Sequence, residues 1–254
     1  INQWLSDAPR ITPSNLLPAP FAWIPIPSGT VTVSRTNYMK GVIKEVPAFK
    51  IAQYPVTNAQ YQLFWDATDG YVDIAWWGYS EAAKHWRIKH FIPDATLYTG
   101  DDLPRTNISW YDAVAYCHWL SHKLGIKVIL PTEYQWRRAA EGSDNRPYPW
   151  GHNFEWRYCN SSVKALARTT TPVMLHKLGR SQDGVWDMSG NVWEWCVTQY
   201  DSEICNLTGK QARIVKGGAW NTQNEQYLRS DYRTWTLPTD SNPYIGFRLV
   251  HILE

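Results

Sequence analysis

Membrane-spanning segments are the first thing missing from this 254-residue sequence: no apolar run approaches the roughly 20 residues that a transmembrane helix needs. Nor does its start carry an apolar stretch of secretory type. These two absences set the expectation of a cytoplasmic protein with no membrane partner. The four cysteines, Cys117, Cys159, Cys196 and Cys205, are too scattered for a disulfide framework, and none belongs to a Cys-x-x-Cys pair of the zinc or redox kind. Reduced, mostly buried thiols are expected instead. Charge of one sign is missing too, since 25 Lys and Arg face 23 Asp and Glu without a long block of either. A nucleic-acid binder needs a basic face, so nucleic acid is not an expected partner. A Gly-x-Ser-x-Gly elbow and a phosphate loop are both absent.

Aromatic side chains are abundant: sixteen Trp and fifteen Tyr. Such rings fill irregular cores and also furnish binding surfaces, so the excess points to either use. Six prolines among residues 1–27 deny that stretch a continuous helix, and residues 1–29 read as a Pro-rich linker into a domain over residues 30–254. A Pro-rich lead without an initiating Met would suit fusion to an N-terminal effector or signalling domain.

Residues 30–34 and 42–51 alternate apolar and polar side chains as short strands do. Thr57 can cap a helix carrying Tyr61, Phe64, Trp65 and Thr68, and a weaker helix is predicted over residues 80–89. The clearest helical stripe is Ala113, Tyr116, Cys117, Leu120 and Leu124, closed by Gly125. His118 and His122, one turn apart, lie off that stripe and read as a solvated face. Residues 126–130 read as a buried strand, and Thr132 with Gln135 forms a capping box for a helix to about Glu141. Beyond Gly142 only short β-like runs stand out, at residues 213–216 and 246–252.

Five ordered segments then carry a resemblance. They are Tyr54-Pro55-Val56-Thr57-Asn58; Ile108-Ser109-Trp110 with Asp112 and Ala113; Leu130-Pro131-Thr132-Glu133 with Trp136; Asp187-Met188-Ser189-Gly190-Asn191-Val192-Trp193-Glu194-Trp195; and Lys216-Gly217-Gly218-Ala219-Trp220 with Gly246-Phe247-Arg248. Together they resemble the formylglycine-generating enzyme (sulfatase-modifying factor) family over roughly residues 30–254. The resemblance implies an α+β, C-type-lectin-like fold with small twisted antiparallel sheets, a few helices and much irregular chain. It also implies one structural calcium, held by Asp187, the carbonyls of Gly190 and Val192, and Glu194; such an oxygen-rich shell suits a hard cation. The competing account of that segment is that its tryptophans fill core and Glu194 pairs with an arginine. The family's second calcium site matches only at Asn160 and Ser161 and finds no acid near Ala165, so it is expected to be absent.

The family's oxidase chemistry uses two thiolates that hold copper, and soft sulfur is what selects that metal. Aligned on Gly217 and Gly218, those two places hold Thr222 and Tyr227, so copper is not expected. What this leaves is a segment, residues 221–244, whose palette resembles that of antibody loops: rigid aromatics interleaved with adaptable amides and hydroxyls. The expected recognition residues are Asn221, Thr222, Gln223, Asn224, Tyr227, Asp231, Tyr232, Thr234, Trp235, Thr239, Asp240, Asn242 and Tyr244, with Trp235, Tyr232 and Tyr244 as anchors. Gly217, Trp220, Arg229, Arg233, Gly246 and Phe247 read as structural. The sequence thus points to a non-catalytic module binding a protein or small-molecule ligand. Diversified receptors of diversity-generating retroelements share this tail, but so do ordinary family members, so its two anchors do not separate these cases. The alternative is an enzyme of the formylglycine-generating class or a diverged relative.

Overall fold

A computed structural model describes residues 16–18, 21–33 and 42–253. Two small four-stranded sheets and a two-stranded hairpin are joined by helices and long irregular segments, the α+β architecture that the sequence predicts. The first sheet runs β1 (Trp23–Ile26), β4 (Phe49–Ala52), β10 (Val250–Ile252), β5 (Val128–Ile129), all antiparallel. Strands β2 (Gly29–Val33) and β3 (Val42–Val46) form the hairpin. The second sheet runs β8 (Thr234–Thr236), β7 (Arg213–Lys216), β6 (Trp193–Gln199), β9 (Ile245–Phe247). Its β6/β9 pair is parallel, the one exception to the antiparallel expectation among these sheets. Parallel strands need a long crossover, which residues 200–244 supply.

The linker expected over residues 1–29 does not hold to its end, because β1 and the start of β2 lie inside it. Proline hid β1: Pro25 has no N–H to give a ladder, yet β1 is an edge strand with only one neighbour to bond. The run at residues 42–51 divides at Pro47 into two strands of different sheets. That at residues 246–252 divides likewise, with the buried Arg248 and Leu249 crossing between β9 and β10.

The helices start and stop where their local chemistry dictates. In α1 (Asn58–Asp66), Thr57 accepts the Gln60 amide while the Gln60 side chain returns to the Thr57 N–H at 2.9 Å. Thr132 and Gln135 do the same for α4 (Glu133–Glu141). Ser80 caps α2 (Glu81–Lys89). Helix α3 (Trp110–Leu124) is capped by Ser109 and ends on Gly125 in the left-handed region. It is buried almost all round for its first eleven positions, a wider burial than one stripe requires. Accordingly His122 is exposed but His118 is half-buried against Tyr79, and burial pushes its imidazole pKa down.

Much of the aromatic excess is spent here. Trp77, Trp110, Trp119, Trp136 and Trp195 are completely buried. Around Phe64, the rings of Tyr61, Tyr71, Trp77, Tyr116 and Trp119 lie 5.2–6.0 Å away, the spacing of edge-to-face and offset packing. No helix among the described residues is long and apolar enough to cross a membrane.

Candidate functional site

Strand β7 is followed by Gly217 and Gly218, both at positive φ, where a side chain would be strained. A Cβ on Gly218 would also stand 2.5 Å from Leu228 Cδ2, so the backbone there presses against the loop it precedes. Past this turn Trp220 is fixed twice: its amide donates to Asn191 O at 3.0 Å and its indole to Pro243 O at 3.3 Å. Residues 221–244 then fold back along the second sheet. Buried Leu228 pins the middle of the loop, and buried Ser189 donates to the Leu228 carbonyl at 2.7 Å.

This fold-back leaves a groove of about 350 Å³ over β7, β8 and the start of β9. Its walls are Trp193, Tyr227, Tyr232, Thr234, Trp235, Thr236, Asn242 and Tyr244, and its floor is Val215 and Ile245. The rings are mutually supported, with Tyr227–Tyr232 at 4.8 Å and Trp193–Tyr232 at 6.2 Å. Tyr227 and Trp235 keep 43% and 49% of their surface open, so both have faces free for a partner. None of these ten side chains carries charge at neutral pH. The groove therefore suits a largely uncharged contact, with orientation set by hydroxyls and one amide.

Six of the thirteen expected recognition residues, Tyr227, Tyr232, Thr234, Trp235, Asn242 and Tyr244, meet in this groove. The others do not line it. Thr222 is buried, its hydroxyl accepting the Ala219 N–H at 2.9 Å to close the turn. Asn224 caps a short 3-10 turn by accepting from Gln226 N at 2.9 Å. Asp231 is held by both arms of Arg229 at 2.8 Å, and Asp240 accepts from Leu237 N at 3.1 Å and from the Thr236 hydroxyl. Asn221, Gln223 and Thr239 are exposed outside it. Local polarity marks both kinds of residue alike, and the fold-back alone sorts them. Trp193 was missed, and Thr236, though part of the same polar and aromatic palette, was not among the expected recognition residues; the alternation Thr234-Trp235-Thr236 was the available signal for it.

Behind the groove the chemistry reverses. Lys216 is fully buried, its ammonium donating to the Tyr232 carbonyl over the Trp136 ring. Burial pushes its pKa down to about 8, against the pull of Glu133 and Glu141. Arg233 donates to both oxygens of the buried Glu133 at 3.1 and 3.2 Å, and Arg137 to Glu141 at 2.6 Å. Tyr232 and Arg233 thus tie the groove wall to a charged layer on α4.

The segment expected to hold calcium is knitted into the fold. Glu194 is completely buried and takes a bidentate pair from Arg248, at 2.8 Å (Nε–Oε2) and 2.7 Å (Nη2–Oε1), with the Trp136 indole donating at 2.7 Å. The arginine account of Glu194 is the one observed, and a carboxylate so occupied does not fit a calcium ligand. Asp187 accepts from Met174 N at 3.3 Å; burial lifts its pKa to about 6, opposed by Arg248. The Gly190 N–H donates to Gly217 O at 2.8 Å, and Val192 is buried. Asn191 grips the backbone of Thr171 from both sides, accepting at 2.9 Å and donating at 3.1 Å. Asn160, at the matching position of the second site, donates to Thr169 O at 2.9 Å, and Ser161 is buried. Among the described residues no three His, Cys, Asp or Glu side chains come together as a metal site.

The thiols lie away from the groove. Cys117, Cys159 and Cys196 are buried, which raises all three pKa values, that of Cys159 to about 12; Cys205 is exposed beside Thr198.

Residues 17–253 match the family model described as "Sulfatase-modifying factor enzyme 1-like domain". Hercynine oxygenase of Mycobacterium tuberculosis is 29% identical over 85% of this chain, and the chain spans about half of its length, 55%. The formylglycine-generating enzyme of Bos taurus is 26% identical over 96% of this chain and 78% of its own. Treponema denticola variable protein 1 superposes with a TM-score of 0.67 at 20% identity, covering 91% of this chain and 95% of the other, which is a likeness of fold.

Proposed function

The chain belongs to the sulfatase-modifying factor enzyme 1-like family, and from that premise we propose that it is a non-catalytic binding module whose ligand sits in the aromatic groove. One observation carries this reading. The two places where the resemblance puts copper-binding thiolates hold Thr222, whose buried hydroxyl closes a turn, and Tyr227, whose ring lines the groove. Neither side chain can serve as a thiolate, and no cysteine lines the groove. What remains at that end of the fold is a rigid aromatic concavity. Aromatic anchors of this kind carry about 2 kcal/mol or more each in well-packed interfaces.

Its ligand class is a protein segment or a small molecule with little charge, oriented by Thr234, Thr236, Asn242 and the tyrosine hydroxyls. Diversification of residues 221–244 by a retroelement is compatible with this use, and an adenine-rich near-copy of their codons beside a reverse transcriptase gene would establish it. An enzyme of the formylglycine-generating class is the second reading, favoured by the names of the relatives above.

The two part on one experiment: incubation with copper, oxygen and a sulfatase-type cysteine peptide, followed by mass analysis for the aldehyde. No product above background is expected. Turnover would overturn the binding-module reading. In parallel, an array of peptides and neutral glycans is probed with the native chain and with the Tyr232→Ala/Trp235→Ala/Tyr244→Ala variant. Ligands that bind the native chain and equally bind the folded triple variant would show that the groove is not the recognition surface.

A further inference from the structure

Positive charge is concentrated around a second concavity that shares no lining residue with the groove. Residues 145–182 hold six Lys or Arg, at Arg146, Arg157, Lys164, Arg168, Lys177 and Arg180, against one carboxylate, Glu155. The whole chain carries only +2, so outside this stretch acids outnumber bases by three. Folding gathers Arg146, Lys177 and Arg180 around one concavity of about 220 Å³, which Trp150 and Gln182 also line. Arg146 is already engaged, giving Nε and Nη2 to Asp144 at 2.8 Å each. Lys177 and Arg180 are exposed and form no ion pair among the described residues.

Their placement is fixed by the backbone between them. Gly179 is buried so tightly under Tyr158 that a Cβ would lie 1.8 Å from its carbonyl oxygen. Just beyond, Ser181 N donates to Val185 O at 2.8 Å, and Val185 N returns to the Ser181 hydroxyl at 3.2 Å. Two unneutralised cations are therefore held on one pinned turn at the mouth of one concavity. Like charges so placed repel until an anion enters between them.

We propose that this concavity binds a small phosphate-bearing anion, seated between Lys177 and Arg180 with Trp150 at its flank. Charge balance selects the ligand: two free cations match a phosphate monoester, which carries about −1.5 to −2 at neutral pH. The volume falls below the roughly 300 Å³ at which pockets for drug-sized ligands begin, so the ligand is small or enters only by its phosphate end. The arginine fork adds directional hydrogen bonds that the lysine point charge lacks.

Calorimetric titration of the whole chain with inorganic phosphate at low ionic strength tests this. Saturable one-site binding is expected, weakened about tenfold or more in Lys177→Ala/Arg180→Ala and largely retained in Lys177→Arg. Both residues are exposed, so the double variant should keep its melting temperature. Adenosine monophosphate is the second probe: tighter binding than phosphate marks a nucleotide source and equal binding marks free phosphate, either of which supports the site. Absence of saturable binding, equal binding by the folded double variant, or complete displacement by chloride at matched ionic strength would overturn it, the last because screening is then constant and the concavity would hold any small anion rather than a phosphate group.

Discussion

The helical half of the molecule, residues 58–141, and the irregular half, residues 142–244, are ordered by different means. In the first half order is local. Each helix is set by a cap within three residues of its start, and its sides are held mainly by packed aromatic rings, three of which, Tyr71, Trp77 and Trp86, also donate to the buried Asp112 carboxylate. In the second half polar side chains repeatedly hold bare backbone, at separations from 5 to 39 residues. Asn191 holds Thr171, Ser189 holds Leu228, and Arg213 donates to the carbonyls of Val197, Asn206 and Thr208 at 2.8–2.9 Å. A loop without helix or sheet bonds still has to satisfy its carbonyls and amides, and long-range side chains do that here. Irregular chain can therefore be as well defined as helix, but its definition is concentrated in few residues.

The largest effect should come from Arg248. Replacement by Ala strands the buried Glu194 carboxylate and frees the carbonyls of Ala52 and Trp186, for a loss of about 3–5 kcal/mol in denaturant unfolding. If Arg248→Met/Glu194→Leu recovers much of that loss, the penalty belongs to the stranded charge rather than to the lost contact. While the pair is intact, calcium and chelator should leave the melting temperature unchanged. A calcium-dependent rise would show instead that Glu194 abandons Arg248 for the metal.

Next is Asn191→Ala, which removes both bonds to Thr171 and sits at φ 65°, where Ala is strained. About 1–3 kcal/mol should be lost. Asn191→Gly should recover only the strain component. A loss equal to that of an ordinary surface residue would break the contrast between the halves.

Lys216 contributes through pH. Burial depresses its pKa to about 8, so the folded state binds fewer protons than the unfolded chain between about pH 8 and the usual lysine value. Its penalty on folding is then relieved as pH rises through that window. Native protein minus Lys216→Met should accordingly gain stability from pH 8 upward; a difference that is flat with pH would mean the ammonium is fully compensated.

The smallest effect belongs to the helical half. Thr132→Ala removes one side of a capping box and should cost about 1 kcal/mol, measured by the same denaturant curve.

These differences also explain what the sequence disclosed. Thr57, Thr132, Gly125 and the α3 stripe are local signals, and the elements they announce are present. Strand β6 was not announced because its start, Trp193 to Trp195, lies in a motif read as irregular, cation-holding backbone, although Trp193, Trp195 and Val197 alternate with Glu194 and Thr198 and six of its seven residues are buried. Strand β8 is three residues long and β1 contains a proline. The groove required three unseen facts at once: the parallel pairing that sets Trp193 beside Ile245, the placement of β8 at the sheet edge, and the fold-back that hides Thr222 while opening Tyr227. Aromatic and amide composition identified the right segment. Composition cannot say which of its side chains turn inward to cap a backbone amide and which face the groove.

The seat of β10 between β4 and β5 has a consequence for biosynthesis. Residues 250–252 are the last strand made among those described, yet β5 joins the first sheet only through them. As the polypeptide emerges, β1 and β4 can pair early, while β5 waits beside α3 for a partner synthesised more than a hundred residues later. Pairings of such sequence separation form slowly, so this half of the molecule should be most vulnerable to chaperone capture or proteolysis until the final strand is inserted.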